Sequence, residues 1–236
     1  MTYIIILNYN GWKDTIECLN SLSCIQEDCK IVLIDNKSTD DSIDKLEKWI
    51  QNQKELSSNL IFIKSSENNG YAAGNNIGIK YVESQEDAQF IWILNNDTLI
   101  QEDTFKNLIN CYKNLENENI ALLGSKILNE DLTIQSVGFT TKQYSQKEIE
   151  VLSNVEVEHI SGCSVFFRVK KIKEIGYIPE EYFLYYEETD WMKSIKQKGF
   201  KIFTCLSSQL IHKHAKSTGG IYSPFVIYYM TRNQIL

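Results

Sequence analysis

The stretch Ile31-Val32-Leu33-Ile34-Asp35-Asn36-Lys37-Ser38-Thr39-Asp40-Asp41 joins an apolar run, a polar turn and a cluster of hydroxyls and carboxylates. The apolar run, Ile31–Asp35, reads as a strand. The Ser38–Asp41 cluster offers N-caps to a helix that carries Ile43, Leu46 and Ile50 on one face. The same order repeats on both sides. Tyr3–Asn8 is a continuous apolar run, as expected of a strand buried on both faces, and Asp14–Ser23 follows with Ile16, Leu19 and Leu22 at helical spacing. Downstream come a strand at Leu60–Lys64, a helix over about Tyr71–Val82 and a strand at Phe90–Leu94. A helix at Asp103–Leu115 and an apolar strand around Ile120–Leu123 complete this half. Such alternation predicts an α/β fold with a mostly parallel central sheet flanked by helices.

The second half breaks the rhythm. Asp131–Val155 is polar and poorly periodic, which predicts loops or weak strands. Val157–Val169 reads as one strand, Lys170–Ile175 as a short helix, Glu187–Lys198 as a helix, and Phe200–Cys205 and Gln209–His212 as extended. Phe225–Leu236 has helical spacing but no C-cap signal, which suggests a native chain continuing past Leu236. One domain spanning the 236 residues is expected, with a ligand-binding half to about residue 128 and a second half from about 129.

The net charge of -7 excludes nonspecific binding to nucleic acid, which needs a basic surface. A polyanionic ligand would need a local remedy such as a metal ion or a helix N-terminus. Six cysteines form no CxxC pair and read as buried thiols in a reducing compartment. The apolar N-terminal run is too short for a signal peptide, and no stretch approaches the ~20 apolar residues of a spanning helix. A cytoplasmic location is expected.

In open α/β sheets, ligands bind beyond the carboxyl ends of the strands. Here those ends carry Asn8-Tyr9-Asn10, Asp35-Asn36, Asn68-Asn69 and Asn95-Asn96-Asp97. Asn and Asp favour turns, so any one tip is ordinary. Four in succession predict a polar crevice. Neither GxGxxG nor GxxxxGKS/T occurs, which argues against dinucleotide and P-loop chemistry. Asp35 suits ribose hydroxyls or a pyrimidine N–H. Asp97 suits a hard cation, Mg²⁺ or Mn²⁺, shared with substrate phosphates. Asn69-Gly70-Tyr71-Ala72-Ala73-Gly74-Asn75-Asn76 would let backbone approach a ligand at a helix start, or is simply a helix N-terminus with a small packing face. Glu187, Glu188 and Asp190 sit where acids favour the helix dipole, and Glu187 and Asp190 share a face that Glu188 does not. By spacing alone their role is structural. His212 and His214 could bind a metal, though such pairs are more often solvated or make supporting hydrogen bonds. His159 reads as structural.

These motifs, taken in order, resemble family 2 of the inverting nucleotide-sugar glycosyltransferases, in particular its rhamnosyltransferase-like branch. The resemblance is carried by Ile6–Asn10, Val32–Asp40, Asn68–Gly78, Leu94–Thr98, Tyr185–Trp191 and His212 with Ala215 and Ser217, and by the closing Tyr228-Tyr229 and Arg232-Asn233. It implies the GT-A fold. It further implies that Asn8, Asn10 and Asp35 contact the nucleotide and that Asn69, Gly70, Ala73, Asn75 and Asn76 line the donor side. Asn95 and Asn96 precede Asp97, the last position of the family's metal motif, and His212 takes the place of a C-terminal metal or diphosphate ligand. Glu188, flanked by Glu187 and Asp190, aligns with the catalytic base. Two positions depart from the pattern: Asn95 is an amide where the metal motif opens with an acid, and Glu188 stands where Asp is usual. The implied donor is a UDP- or dTDP-sugar. The implied acceptor is a glycan or lipid-linked hydroxyl in surface polysaccharide synthesis, with peripheral contact at the inner face of the membrane. A catalytically inactive sugar-nucleotide-binding module, a scaffold subunit and a nucleotidyltransferase stay open as alternatives.

Overall fold

The computed structural model of the chain describes residues 1–25, 28–53, 58–141, 152–213 and 223–235. Ten strands form one sheet: β1 (Thr2–Asn8), β2 (Cys29–Asp35), β3 (Leu60–Lys64), β4 (Phe90–Asn95), β5 (Thr98–Ile100), β6 (Ile120–Leu128), β7 (Ile134–Ser136), β8 (Asn154–Val157), β9 (Ser164–Arg168) and β10 (Lys201–His212). Their order is β3-β2-β1-β4-β9-β6-β10-β5, with β7 on β6 and β8 on β10. β3, β2, β1 and β4 are parallel, β6 is parallel to β10, and β9 runs antiparallel between β4 and β6. The parallel half is the predicted one. Among the described residues seven α-helices accompany the strands: α1 (Trp12–Ser21), α2 (Ser42–Asn52), α3 (Gly70–Glu83), α4 (Thr104–Asn114), α5 (Ile172–Ile175), α6 (Glu187–Gln197) and α7 (Pro224–Asn233).

Strand periodicity splits the core into two layers. Ile4 and Ile6 of β1 face the layer that holds Leu19, Leu46, Phe105 and Leu108 from α1, α2 and α4. Tyr3 and Ile5 face the other, with Ile79 and Val82 of α3 and Trp191 and Ile195 of α6. Because both faces are covered, β1 needs no polar alternation, which is why it reads as an unbroken apolar run. Helix α3 lies close on the sheet because it lacks side chains there. A Cβ on Gly74 would stand 2.6 Å from a Leu7 methyl, and one on Gly78 2.7 Å from an Ile5 methyl.

Three sequence expectations change. The single strand expected over Val157–Val169 is two, β8 and β9. The Ser161-Gly162 turn interrupts it, with the Ser161 hydroxyl accepting from Cys163 N–H and the Ser161 carbonyl accepting from Ser164 N–H. The two extended pieces at 200–212 are one strand, with its register to β6 shifted between Cys205 and Gln209. β5 was not foreseen. In the polar stretch after Asp131, the weak strands exist as β7 and β8, while residues 142–151 lie outside the described set. Among the described residues no helix is long and apolar enough to cross a membrane.

Gly70, at the first turn of α3, has φ +91°, and a Cβ there would lie 2.1 Å from the Phe183 carbonyl oxygen. Gly70→Ala is therefore expected to lower stability by about 2 kcal/mol or more, from backbone strain plus a clash with main chain. Urea denaturation checks this, and an unchanged midpoint would show that the 183–186 segment is free to shift.

Candidate active site

The polar strand tips meet, and they meet through one another. Asn8 Nδ2 donates to Asp35 Oδ2 at 2.7 Å, and Asn8 Oδ1 accepts from the Thr15 hydroxyl at 2.7 Å. The Thr15 oxygen in turn accepts from Asn96 Nδ2 at 2.9 Å. One hydrogen-bonded chain thus ties the ends of β2, β1 and β4 to α1. Asp35 also accepts from the Ser38 N–H and hydroxyl. Asn8 and Asp35 are both 0% exposed. Their polar atoms shape the loop through these bonds. Asn10 (φ 51°) is the exposed member. Its N–H donates to the Ser38 hydroxyl, and its Oδ1 accepts from the backbone N–H groups of Thr39 and Asp40.

On the α3 side, Asn36 Nδ2 donates to Asn68 Oδ1 and to the Gly70 carbonyl. Asn69 is exposed and Ala73 partly so. Asn75 is buried, gives Nδ2 to the Tyr71 carbonyl and leaves Oδ1 without a partner. Asn76 is also buried, at 0% exposed, with Nδ2 donating to the Ile178 carbonyl and Glu180 and with Oδ1 accepting from the Ile178 N–H, so its amide ties α3 to the 178–180 segment. Gly70 admits the Phe183 main chain, with Tyr71 N–H donating to the Phe183 carbonyl at 2.9 Å.

The sequence did not single out Tyr71 itself. Its hydroxyl lies 2.8 Å from the Gly162 carbonyl and 3.2 Å from Asn95 Oδ1. Burial first, then the nearby charges of Glu188, Glu187 and Asp97, hold its proton well above the usual phenol range. The Tyr71 hydroxyl thus links Asn95 of the first half to Gly162 of the second, against which Glu188 packs. Cys163, pushed up to about 12 mainly by burial, also senses both Asp97 and Glu188.

Asp97 lies beside His212 because β10 pairs antiparallel with β5, setting His212 opposite Thr98. His212 Nε2 is 3.3 Å from Asp97 Oδ1, yet that buried oxygen accepts no hydrogen bond. The reason lies on the other side of the ring. Gln135 Nε2 is committed to the Asn129 side chain and the His212 carbonyl, so Gln135 Oε1 faces His212 Nδ1 at 2.8 Å. A proton on Nδ1 would satisfy Gln135 Oε1 and turn Nε2 toward the Asp97 carboxylate as an acceptor. Two electron-rich atoms in that geometry fit a divalent cation, with Gln135 favouring that tautomer. Among the described residues no group of three or more His, Cys, Asp or Glu could hold a metal, which leaves further coordination to substrate oxygens. His214, Ala215 and Ser217 lie outside the described residues.

Glu187 and Glu188 open α6 after two residues in left-handed conformation, Tyr185 (φ 68°) and Tyr186 (φ 75°). Glu187 is 3% exposed and raised to about 9, first by burial and then by the charge of Glu188. Glu188 is partly exposed and packs against Gly162. Burial raises it too, while the hydrogen bond from Glu187 favours its ionised form. Burial together with the closeness of the two carboxyls disfavours both being ionised at once, so they titrate as a pair. Each keeps one buried oxygen, Oε2, without a partner. Asp190, partly exposed like Glu188, adds its charge to the burial that raises Tyr182.

Similarity to known proteins bears on the fold and the family. The chain is 24% identical over 241 residues to the low-salt glycan biosynthesis hexosyltransferase Agl10 of Haloferax volcanii, covering 99% of this chain and 74% of that one. Its fold is similar to GalNAc-T7 crystallised with UDP, GalNAc and Mn²⁺ (TM-score 0.74, 15% identity, 100% of this chain and 48% of that one). It is also similar to the mannosyltransferase PcManGT from Pyrobaculum calidifontis in complex with GDP-Man and Mn²⁺ (TM-score 0.67, 14% identity, 92% and 57%). The chain thus spans about half the length of these solved structures. Residues 3–176 match the glycosyl transferase family 2 profile, and the chain belongs to that family.

Proposed function

We propose that this domain transfers a hexose or deoxyhexose from a UDP- or dTDP-sugar to a hydroxyl of a glycan or lipid-linked acceptor, with inversion, in surface polysaccharide synthesis. The observation that carries the reading is the Tyr71 hydroxyl, which bonds Asn95, two residues before Asp97, and the carbonyl of Gly162, against which Glu188 packs. In this reading residues to about 128 hold the donor and those from about 129 present the acceptor. Asn8 and Asp35 hold the loop of Asn10 and Ser38–Asp40 in shape against the nucleotide. Asn69, Ala73 and Asn75 edge the sugar, and Asn95 and Asn96 support Asp97. Glu188 removes the acceptor proton as that oxygen attacks the anomeric carbon. Asp97 and His212 would hold Mg²⁺ or Mn²⁺, which when bound neutralises charge developing on the leaving diphosphate. The rhamnosyltransferase-like motifs make dTDP-rhamnose one candidate donor. The lipid-linked acceptor places the protein at the inner face of the membrane, as a peripheral cytoplasmic enzyme.

Thermal unfolding with a panel of sugar nucleotides and Mn²⁺ tests the donor class. A ligand at 100 times its Kd adds about 2.7 kcal/mol to the folded state, which in a domain this size raises Tm by roughly 5–10 °C. UDP- or dTDP-sugars are expected to do so. No stabilisation by any pyrimidine sugar nucleotide would remove the proposal.

A further inference from the structure

The turn that aims Glu187 and Glu188 is strained, and one buried side chain from the far end of the chain holds it. Consecutive non-glycine residues with positive φ are uncommon and strained, and such a turn persists only where the surroundings over-determine it. Here the surroundings are α7. Asn233, 4% exposed, donates from Nδ2 to the Leu184 carbonyl at 2.8 Å and to the Tyr185 carbonyl at 2.7 Å. Its Oδ1 accepts from Arg232 Nε at 2.7 Å, which fixes the amide the right way round, and Arg232 also donates to the Glu181 carbonyl. The Phe183 ring stacks on Tyr229 with centroids 5.0 Å apart, while its carbonyl takes the N–H of Tyr71. The segment 181–186 is therefore gripped between the start of α3 and the end of α7. The main-chain carbonyls on both sides of the Leu184–Tyr185 peptide find their donors in a single amide.

We infer that Asn233 is a positioning residue for the reaction: it holds the Tyr185–Tyr186 turn in its strained form, and through that turn sets where Glu188 meets the acceptor hydroxyl. The inference rests on the base assignment to Glu188. Without Asn233 two buried carbonyls lose their donors, the turn relaxes toward negative φ, and Glu188 moves with the first turn of α6. Asn233 touches no part of the nucleotide side of the site, so donor binding is untouched.

Asn233→Ala is expected to lower kcat for donor turnover by about 10- to 100-fold, the scale of an ångström's misplacement of a reacting group. UDP affinity in the presence of Mn²⁺ is expected to stay unchanged. Glycine adopts positive φ freely, so adding Tyr185→Gly to Asn233→Ala should restore most of the lost kcat. A general loss of stability would not respond in this way. Should Asn233→Ala fail to fold, Asn233→Ser, with one donor for two, gives the intermediate case, and hydrogen exchange of the 184–188 amides should rise in it. Wild-type kcat in Asn233→Ala, or a loss that Tyr185→Gly does not restore, overturns the inference. Glu188→Gln separates it from its premise. If that variant turns over normally the base assignment fails, yet the rescue by Tyr185→Gly would still identify Asn233 as the clamp of the turn.

Discussion

Glu188→Gln is expected to reduce sugar transfer by about 100- to 10,000-fold, the usual contribution of a general base, while donor binding survives. The amide keeps the size and packing of the carboxyl against Gly162 but cannot take a proton. Stability should hold or rise, because the substitution removes an ionisable group that burial penalises. The loss of rate therefore cannot be blamed on unfolding. The pH profile carries the same signature. Burial raises Glu188, so the acidic limb of kcat/KM should lie above the ordinary carboxylate range, with rate rising as Glu188 ionises. The alkaline limb should reflect Glu187, raised to about 9: once it loses its proton, two neighbouring carboxylates carry charge. Stability follows with the opposite sense to a salt-bridged acid. The folded chain keeps a proton on Glu187 that the unfolded chain releases above 4.5, so this contribution is present at low pH and lost as pH rises toward about 9. Turnover by Glu188→Gln at the wild-type rate, or an acidic limb at the ordinary carboxylate position, would remove the assignment.

The parallel half of this fold is legible because its cause is local. β1 is buried on both faces and writes that as five unbroken apolar residues, Tyr3 to Leu7, and α2 writes its one buried face as Ile43, Leu46 and Ile50. The strand tips Asn8, Asp35 and Asn95–Asp97 follow from the same alternation. What they do does not. Asn8 and Asp35 look like ligand contacts in sequence; in the structure Thr15 and Ser38 engage them, and nothing local announces those pairings. Asp97 and His212 meet because a three-residue strand, β5, pairs with the end of β10, and a strand that short has no period to read. Gln135 sits in a segment whose only sequence signal is polarity. Tyr71 lies inside a recognised motif, yet its hydroxyl partners, Asn95 and Gly162, come from elsewhere in the chain. Asn75 and Asn76 are both buried, and only their partners tell them apart: Asn75 bonds within α3 to the Tyr71 carbonyl, Asn76 across to Ile178 and Glu180, a pairing that adjacency in sequence does not announce.

The second large effect concerns the far side of the site. Asp97→Ala is expected to abolish the part of UDP affinity that depends on Mn²⁺ and to leave a weaker, metal-independent remainder. The argument starts from an oxygen that the protein alone does not satisfy. Asp97 Oδ1 is buried, faces the Nε2 of His212 and accepts no hydrogen bond, although a buried carboxylate oxygen ordinarily finds a donor. A proton on the opposite nitrogen, where it satisfies Gln135 Oε1, would leave the pair poised for a cation. Gln135→Leu should accordingly weaken Mn²⁺-dependent UDP binding by about 10- to 100-fold without touching either ligand, as removal of a supporting hydrogen bond does in other metal sites. Calorimetric titration of UDP with and without Mn²⁺, in the wild type and both variants, measures the two effects directly. Three superimposable pairs of isotherms would mean that Asp97 and His212 hold no ion. The 3.3 Å contact would then be an ion pair between a protonated imidazole and a carboxylate, and the charge on the leaving diphosphate would have to be met by the protein's own donors.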